Sequence, residues 1–344
     1  MRVAIAHPSP TLRDVLARAV RGVRGWSVAW TVPDAGAAVA RCRSDRPDAL
    51  LVCLAGDDER TVEAIGQVVR GASCAVLALA SAQAPPALVM EAIGAGAVDV
   101  VPAPAVAPDG SLAGVDEVVR KLRAVATLAG APPPERAARV RPRHEPSAGA
   151  APRLVAIGAS TGGPAALARV LGGLPPTLAA AIVVVQHVDE RFAGSLAAWL
   201  RGQVALPVHV AEEGRMPIEG QVTLAATNED MVVGGDLALH YRPPADGSFY
   251  HPSVNAFFRS IAATWPSRGV AVLLTGIGRD GAEGLLALRR GGWHTIAQDE
   301  ATSVVYGMPK AAREVGAASE VLAVGDIAPA IVRWVARAAN GPAS

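Results

Sequence analysis

Arg153-Leu154-Val155-Ala156-Ile157-Gly158-Ala159-Ser160-Thr161-Gly162-Gly163-Pro164 is the stretch on which the reading of this chain turns. An apolar run from Leu154 to Ile157 ends in Gly158, a Ser/Thr/Gly cluster follows, and Pro164 opens an alanine- and leucine-rich segment. The pattern predicts strand, tight turn and helix, because proline suits the first helical turn, where its missing N–H is no loss. A serine in such a turn stands at the C-terminal edge of a parallel sheet, facing a helix N-terminus with unpaired N–H groups and a partial positive charge. Two chemistries use that setting. One is a nucleophilic Ser160 beside a preformed oxyanion site; the other is a phosphate held by backbone amides.

Working outward, two further apolar runs have the same form. Ala180 to Val185 leads to Gln186 and His187, and Val270 to Leu274 leads to Thr275-Gly276-Ile277-Gly278-Arg279-Asp280-Gly281. Continuous apolar runs suit parallel strands covered on both faces. The C-terminal ends of such strands share one edge, where ligand crevices form, so Ser160, His187 and Asp280 can converge there. A serine hydroxyl is a weak nucleophile and needs a base. His187 can take its proton and return it to the leaving group, and Asp280 can hold the imidazole in the required tautomer. N–H groups around Thr161, Gly162 and Gly163, and in the Gly276–Gly278 turn, can hold an oxyanion.

Taken singly, each residue has a plainer reading. Gly158-Ala159-Ser160-Thr161-Gly162 is a weak motif, His187 suits a structural role, and Asp280 suits a helix N-cap before Gly-Ala-Glu-Gly. Three matched residue types at three strand ends favour the triad. The phosphate alternative is weaker, because Ser160 stands where a dinucleotide fingerprint needs its second glycine and no G-K-[ST] follows. Asp189 would have to serve as the ribose-binding acid, and His251 is the alternative base.

The bulk numbers agree with an ordinary globular protein. The chain has 344 residues, 51% hydrophobic and 18% charged, with a net charge of +1. That length suggests two domains, and the charge gives no drive toward nucleic acid or anionic membrane. Cys42, Cys53 and Cys74 match no zinc or redox spacing, which suits three small buried side chains in a reducing compartment. The apolar part of Met1–Pro8 is too short for a signal peptide, and no apolar run reaches the ~18 residues of a membrane helix. A soluble cytoplasmic protein without membrane insertion, metal or cofactor is expected.

The first third alternates strand and helix. Strands are expected at 2–6, 27–32, 49–54, 75–80 and 98–101, and helices at 11–23, 35–43, 60–69, 87–94 and 112–128. Five such repeats imply a flavodoxin-like parallel sheet. R-V-A-I-A, P-D-A-L-L-V and A-I-G-A-G-A-V-D-V-V-P-A-P make this segment resemble a response-regulator receiver. Such a receiver holds Mg²⁺ with two acids and takes phosphate on an aspartate. Here the acid pair falls on His7 and Pro8, the phosphoacceptor on Cys53, the hydroxyl position near Leu79 or Ala80, and the lysine on Ala103. Thiol and proline are poor ligands for a cation that wants oxygen. No phosphoacceptor is expected; Asp57 and Asp58 are the substitutes to consider. Residues 129–152, with Pro132-Pro133-Pro134 and Arg136, Arg139, Arg141 and Arg143, read as a linker between domains at 1–128 and 153–338.

The second domain carries I-G-A-S-T-G-G-P, V-V-Q-H-V, H-P-S-V-N, L-L-T-G-I-G-R-D-G-A-E-G-L and A-Q-D-E-A-T-S-V-V-Y-G-M-P in order. These motifs resemble the catalytic domain of the bacterial chemotaxis protein-glutamate methylesterases, and the receiver-linker-esterase layout matches too. The resemblance implies an α/β protein of two doubly wound parallel-sheet domains, a flavodoxin-like receiver and a Rossmann-like esterase. It implies Ser160, His187 and Asp280 as the triad, Thr161 lining the site, and Ile277 at the oxyanion position where the family usually has Met. It implies hydrolysis of glutamate γ-methyl esters on chemoreceptor cytoplasmic domains to glutamate and methanol, deamidation of receptor glutamines, and a chemosensory kinase or other regulatory protein as a partner. The alternative is a weakly active or inactive receptor-docking adaptor. Departures at Ala225–Met231 and at Pro252-Ser253-Val254-Asn255 bear on receptor choice in this reading. Residues 221–242 alternate like a strand meander, which predicts a small antiparallel addition at the sheet edge.

Overall fold

A computed structural model describes residues 1–55, 59–72, 74–106, 112–125, 151–244 and 251–339. The chain divides into two compact units, Met1–Pro134 and Glu135–Ser344. Asp57, Asp58 and nearly all of the expected linker lie outside the described residues.

The first unit contains β1 (Arg2–Ala6), α1 (Pro10–Arg21), β2 (Ser27–Val32), α2 (Ala35–Ser44), β3 (Ala49–Leu54), α3 (Glu59–Ala72), β4 (Ala75–Ala80), α4 (Pro86–Gly94) and β5 (Asp99–Pro102). A short antiparallel pair, β6 (Ala105–Val106) and β7 (Leu112–Ala113), precedes α5 (Val115–Val125). The five long strands form a parallel sheet in the order β2-β1-β3-β4-β5, which is flavodoxin-like. Every residue of β3 is buried, as helices on both faces require. Local chemistry sets the helix starts: Ser9 caps α1 through Leu12 N, and Asp34 caps α2 through Ala37 N. The expected fifth helix starts three residues late, because Leu112–Ala113 pairs with Ala105–Val106 instead.

At the positions where a receiver would hold Mg²⁺ and phosphate, the described residues are His7, Pro8 and Cys53. His7 is buried and its Nδ1 accepts from Ser9 N at 3.1 Å. Burial pushes its pKa down, outweighing the Ser9 hydrogen bond, and the Arg13 charge adds to the fall. Cys53 is buried, and burial pushes its thiol up to about 11, so it stays protonated. Asp99 and Lys121 form a buried ion pair at 2.5 Å between β5 and α5.

The second unit contains β8 (Leu154–Ala159), α6 (Gly163–Gly172), β9 (Ala181–Gln186), α7 (Glu190–Gln203), β10 (Val208–Val210), β11 (Val222–Leu224), β12 (Asp230–Val233) and β13 (Leu239–Arg242). It continues through α8 (Val254–Thr264), β14 (Val270–Leu273), α9 (Ala282–Arg290), β15 (His294–Gln298), α10 (Met308–Glu314), β16 (Glu320–Leu322) and α11 (Val324–Ala339). Seven parallel strands run in the order β10-β11-β9-β8-β14-β15-β16. Without β11 this is the Rossmann order, and the direction of winding reverses between β8 and β14. Phe257, Phe258, Trp265 and Trp293 pack with Leu154, Val183 and Leu273 in the core.

The expected meander at 221–242 is corrected in part. Val222–Leu224 joins the main sheet as a parallel strand, paired with Ile182–Val184 one place in from the edge. Residues 211–221 supply the crossover that a parallel connection needs. Within 221–242, β12 and β13 are the antiparallel pair, in a separate two-stranded sheet tied to α8 where Val233 N donates to Ser260 Oγ at 2.9 Å. Among the described residues no helix is long and apolar enough to cross a membrane.

Candidate active site

Register places the first two candidate residues. Ala159 pairs with Gln186, so the next residues, Ser160 and His187, leave the sheet side by side. His187 N donates to Ala159 O at 3.0 Å, and on the other flank Ser160 N donates to Thr275 O at 3.0 Å. The buried Gln186 side chain brackets the pair: its Nε2 donates to Ser160 O at 2.8 Å and to His187 O at 3.1 Å. Ser160 is itself buried, and a Cβ on Gly276 would stand 2.7 Å from its Cβ, so the Gly276–Gly278 turn lies directly against the serine.

Asp280 completes the group. Its Oδ2 lies 2.8 Å from His187 Nε2, and both side chains are under one-tenth exposed, at 5% and 8%. Oδ2 also accepts from Val254 N at 2.7 Å, while Oδ1 accepts from Ser253 Oγ at 3.0 Å and Asn255 N at 2.9 Å. The carboxylate therefore sits on the N-terminus of α8, where amides and the helix dipole favour negative charge. Burial pushes its pKa up, but the hydrogen bond and charge of His187 and the amides of Asn255 and Val254 outweigh this and hold it below the ordinary value. An ionised Asp280 accepts, so Nε2 of His187 carries the proton and Nδ1 is the basic nitrogen. Asp280 does not cap its own helix: α9 begins after Gly281 without a side-chain cap.

Sequence reasoning missed the cradle of Asp280. The sequence ties Pro252-Ser253-Val254-Asn255 to receptor choice, yet the Ser253 hydroxyl and the Val254 and Asn255 amides hold the carboxylate, and Asn255 Oδ1 accepts from Gly284 N at 2.8 Å. The available signal was Ser253 ahead of an apolar helical pattern, which marks a helix start. His251 faces a different carboxylate, with Nδ1 3.7 Å from Asp230 Oδ1. Asp189 caps α7 through Arg191 N at 3.0 Å and pairs with the Arg191 guanidinium, which holds its carboxyl below the ordinary value. It has the work of a cap, as the weak phosphate alternative would not require.

Two peptide groups beside Ser160 are locked by their carbonyls. Thr161 O accepts from Thr275 Oγ1 at 2.9 Å, and Gly276 O accepts from Gly307 N at 3.1 Å and Met308 N at 2.9 Å. In a trans peptide the N–H points opposite the carbonyl. The N–H groups of Gly162 and Ile277 are therefore turned away from those anchors. Gly162 has φ +77° and a Cβ there would meet Val304 Cβ at 2.4 Å, so no other residue fits this turn.

With this geometry in place, the relatives are informative. The CheB methylesterase family model matches residues 155–331. The chain is 42% identical over 341 residues to protein-glutamate methylesterase/protein-glutamine glutaminase 1 of Bordetella avium (strain 197N), covering 99% of both chains. This chain belongs to the CheB methylesterase family. A second relative, protein-glutamate methylesterase/protein-glutamine glutaminase 2 of Cupriavidus metallidurans, is 42% identical over 96% of this chain and 98% of its own. Among solved structures, the CheB methylesterase catalytic domain of Thermotoga maritima is 32% identical with a TM-score of 0.52, and 54% of this chain covers all of that one. The similarity to these two curated relatives runs through both units.

Proposed function

We propose that this chain is a cytoplasmic protein-glutamate methylesterase that hydrolyses glutamate γ-methyl esters on chemoreceptors, with Ser160, His187 and Asp280 as its triad. The observation that carries the assignment is the 2.8 Å contact of His187 with an ionised, four-bonded Asp280, one strand away from Ser160. Ser160 Oγ attacks the ester carbonyl carbon while His187 Nδ1 takes its proton. The resulting oxyanion accepts hydrogen bonds from the N–H groups of Gly162 and Ile277, with Thr161 lining the site. Ile277 replaces the usual methionine without loss, since the donor is a backbone group. The protonated His187 then protonates the departing methoxide, giving methanol and an ester of Ser160. Water, deprotonated by His187, attacks that ester and releases the receptor glutamate and free Ser160. The same steps on a glutamine side chain release ammonia, the glutaminase reaction named for the relatives.

Residues 153–338 form the proposed esterase domain, 129–152 the linker and 1–128 a receiver-like domain. With Cys53 protonated and His7 neutral at the key positions, that domain takes no phosphate in this reading. Ser160→Ala separates an esterase from a receptor-docking adaptor. The variant is expected to bind methylated receptor as wild type does and to lose methanol release by at least ~10³-fold. Equal methanol release by the variant would end the assignment.

A further inference from the structure

We propose that Thr275 is a positioning residue that sets the geometry of the oxyanion site; this rests on the esterase reading above. Thr275 is fully buried at the C-terminal edge of the sheet, two residues past the end of β14. Its hydroxyl accepts from Val305 N at 2.8 Å and donates to Thr161 O at 2.9 Å, with Val305 O a longer contact at 3.3 Å. A hydroxyl has one proton, so it can serve only one of the two carbonyls at a time. The shorter contact assigns it to Thr161.

That single bond fixes the Thr161–Gly162 peptide plane and so the direction of the Gly162 N–H. The same residue adjoins the peptide of the second donor. Thr275 is joined directly to Gly276, whose N donates to Val305 O at 3.0 Å and whose carbonyl is held by Gly307 and Met308. Ile277 N belongs to that locked peptide. Thr275 O also accepts from Ser160 N, and Thr275 N donates to Gln298 Oε1 at 2.8 Å. One side chain therefore ties the nucleophile turn to the 302–305 loop, and its backbone ties both to β15. Oxyanion donors act through preorganisation, so a donor that can swing loses most of its effect on the transition state while substrate affinity barely changes.

A purely structural Thr275 would behave differently, and the test exploits this. Methanol release from methylated receptor is measured for full-length Thr275→Val and Thr275→Ser, per active site titrated with a serine-directed fluorophosphonate, alongside thermal unfolding. The valine keeps the shape and removes the hydroxyl; kcat should fall at least ~10-fold with KM within about twofold, since removing an oxyanion donor outright costs about 10²–10³. Thr275→Ser restores the hydroxyl and should restore kcat. A folded Thr275→Val with wild-type kcat overturns the proposal, as does a serine variant no faster than the valine one. Should Thr275→Val not fold, Thr275→Cys, with its weaker donor, must show the loss of kcat, and a wild-type kcat there overturns the idea equally. Absence of methanol release from wild type would instead sink the esterase reading itself.

Discussion

Asp280→Asn is the substitution with the most closely determined outcome. The carboxylate receives Ser253 Oγ and Asn255 N on one oxygen, and Val254 N and His187 Nε2 on the other. An amide of the same shape has one acceptor and one donor end. With its NH₂ at the Oδ2 position, it opposes Val254 N–H and obliges His187 Nε2 to accept. The imidazole proton then moves to Nδ1, the nitrogen proposed to take the Ser160 proton. With its NH₂ at the Oδ1 position, it opposes Asn255 N–H and forces Ser253 to accept, while the negative charge beside the His187 ring is gone. Either way one buried amide faces a donor, at a cost of about 1–3 kcal/mol. For a unit of this size that is a fall in Tm of about 2–12 °C. The corresponding change in a serine protease lowers kcat by about 10⁴, so a fall of about 10³–10⁴ is expected here. Methanol release and thermal unfolding are measured on the same preparation, with KM within a few-fold of wild type. A folded Asp280→Asn enzyme with kcat within tenfold of wild type would refute the role given to this carboxylate.

Other outcomes follow from the same structure. Because Asp280 is held below its ordinary value, its stabilisation is fully present above the unfolded carboxyl pKa near 3.9 and is lost as pH falls through the lower folded value. Urea midpoints should show a constant gap between wild type and Asp280→Asn from pH 7 to about 5, narrowing below about 4; a gap unchanged at pH 3 would contradict this. Gly163→Ala would place a Cβ 1.9 Å from Gln186 Oε1, so the amide must leave Ser160 O and His187 O. Overpacking of this kind costs about 1–3 kcal/mol, and methanol release should fall with it; wild-type activity would show that the Gln186 bracket is dispensable. In the first unit, Asp99→Asn leaves Lys121 buried without its carboxylate, at about 3–5 kcal/mol. Hydrogen exchange in the full chain should speed up across β5 and α5, and unchanged exchange would argue against the pair. Incubation with acetyl phosphate and Mg²⁺ should leave the mass of the chain unchanged, whereas a stable phosphoryl adduct within residues 1–128 would overturn the loss of the phosphoacceptor.

The parallel strands were legible because they are buried on both faces. Ala49–Leu54 and Leu154–Ala159 are unbroken apolar runs, and every residue in each is buried. The candidate triad was legible for a related reason, since a polar residue directly after such a run marks the functional edge of the sheet. That same signal pointed at Gln186 and Thr275, but their bonds to Ser160 O and Thr161 O join segments distant in sequence and have no local signature. The cradle of Asp280 was hidden for the same reason, since Ser253–Asn255 reaches Asp280 only in the folded chain. β11 was misplaced because Val-Thr-Leu alternates like an edge strand, while its pairing with Ile182–Val184 depends on a crossover that periodicity does not record.

The central claim is that Ser160 carries the substrate acyl group through the reaction. Its most direct test is to mix the enzyme with methylated receptor, quench within the first turnover, and locate the adduct by peptide mass spectrometry. A transient receptor-derived ester on the peptide containing Ser160, appearing as methanol is released and absent in Ser160→Ala, is the predicted result. Methanol release at the wild-type rate with no acyl adduct at Ser160, or with the adduct on another residue, would contradict it.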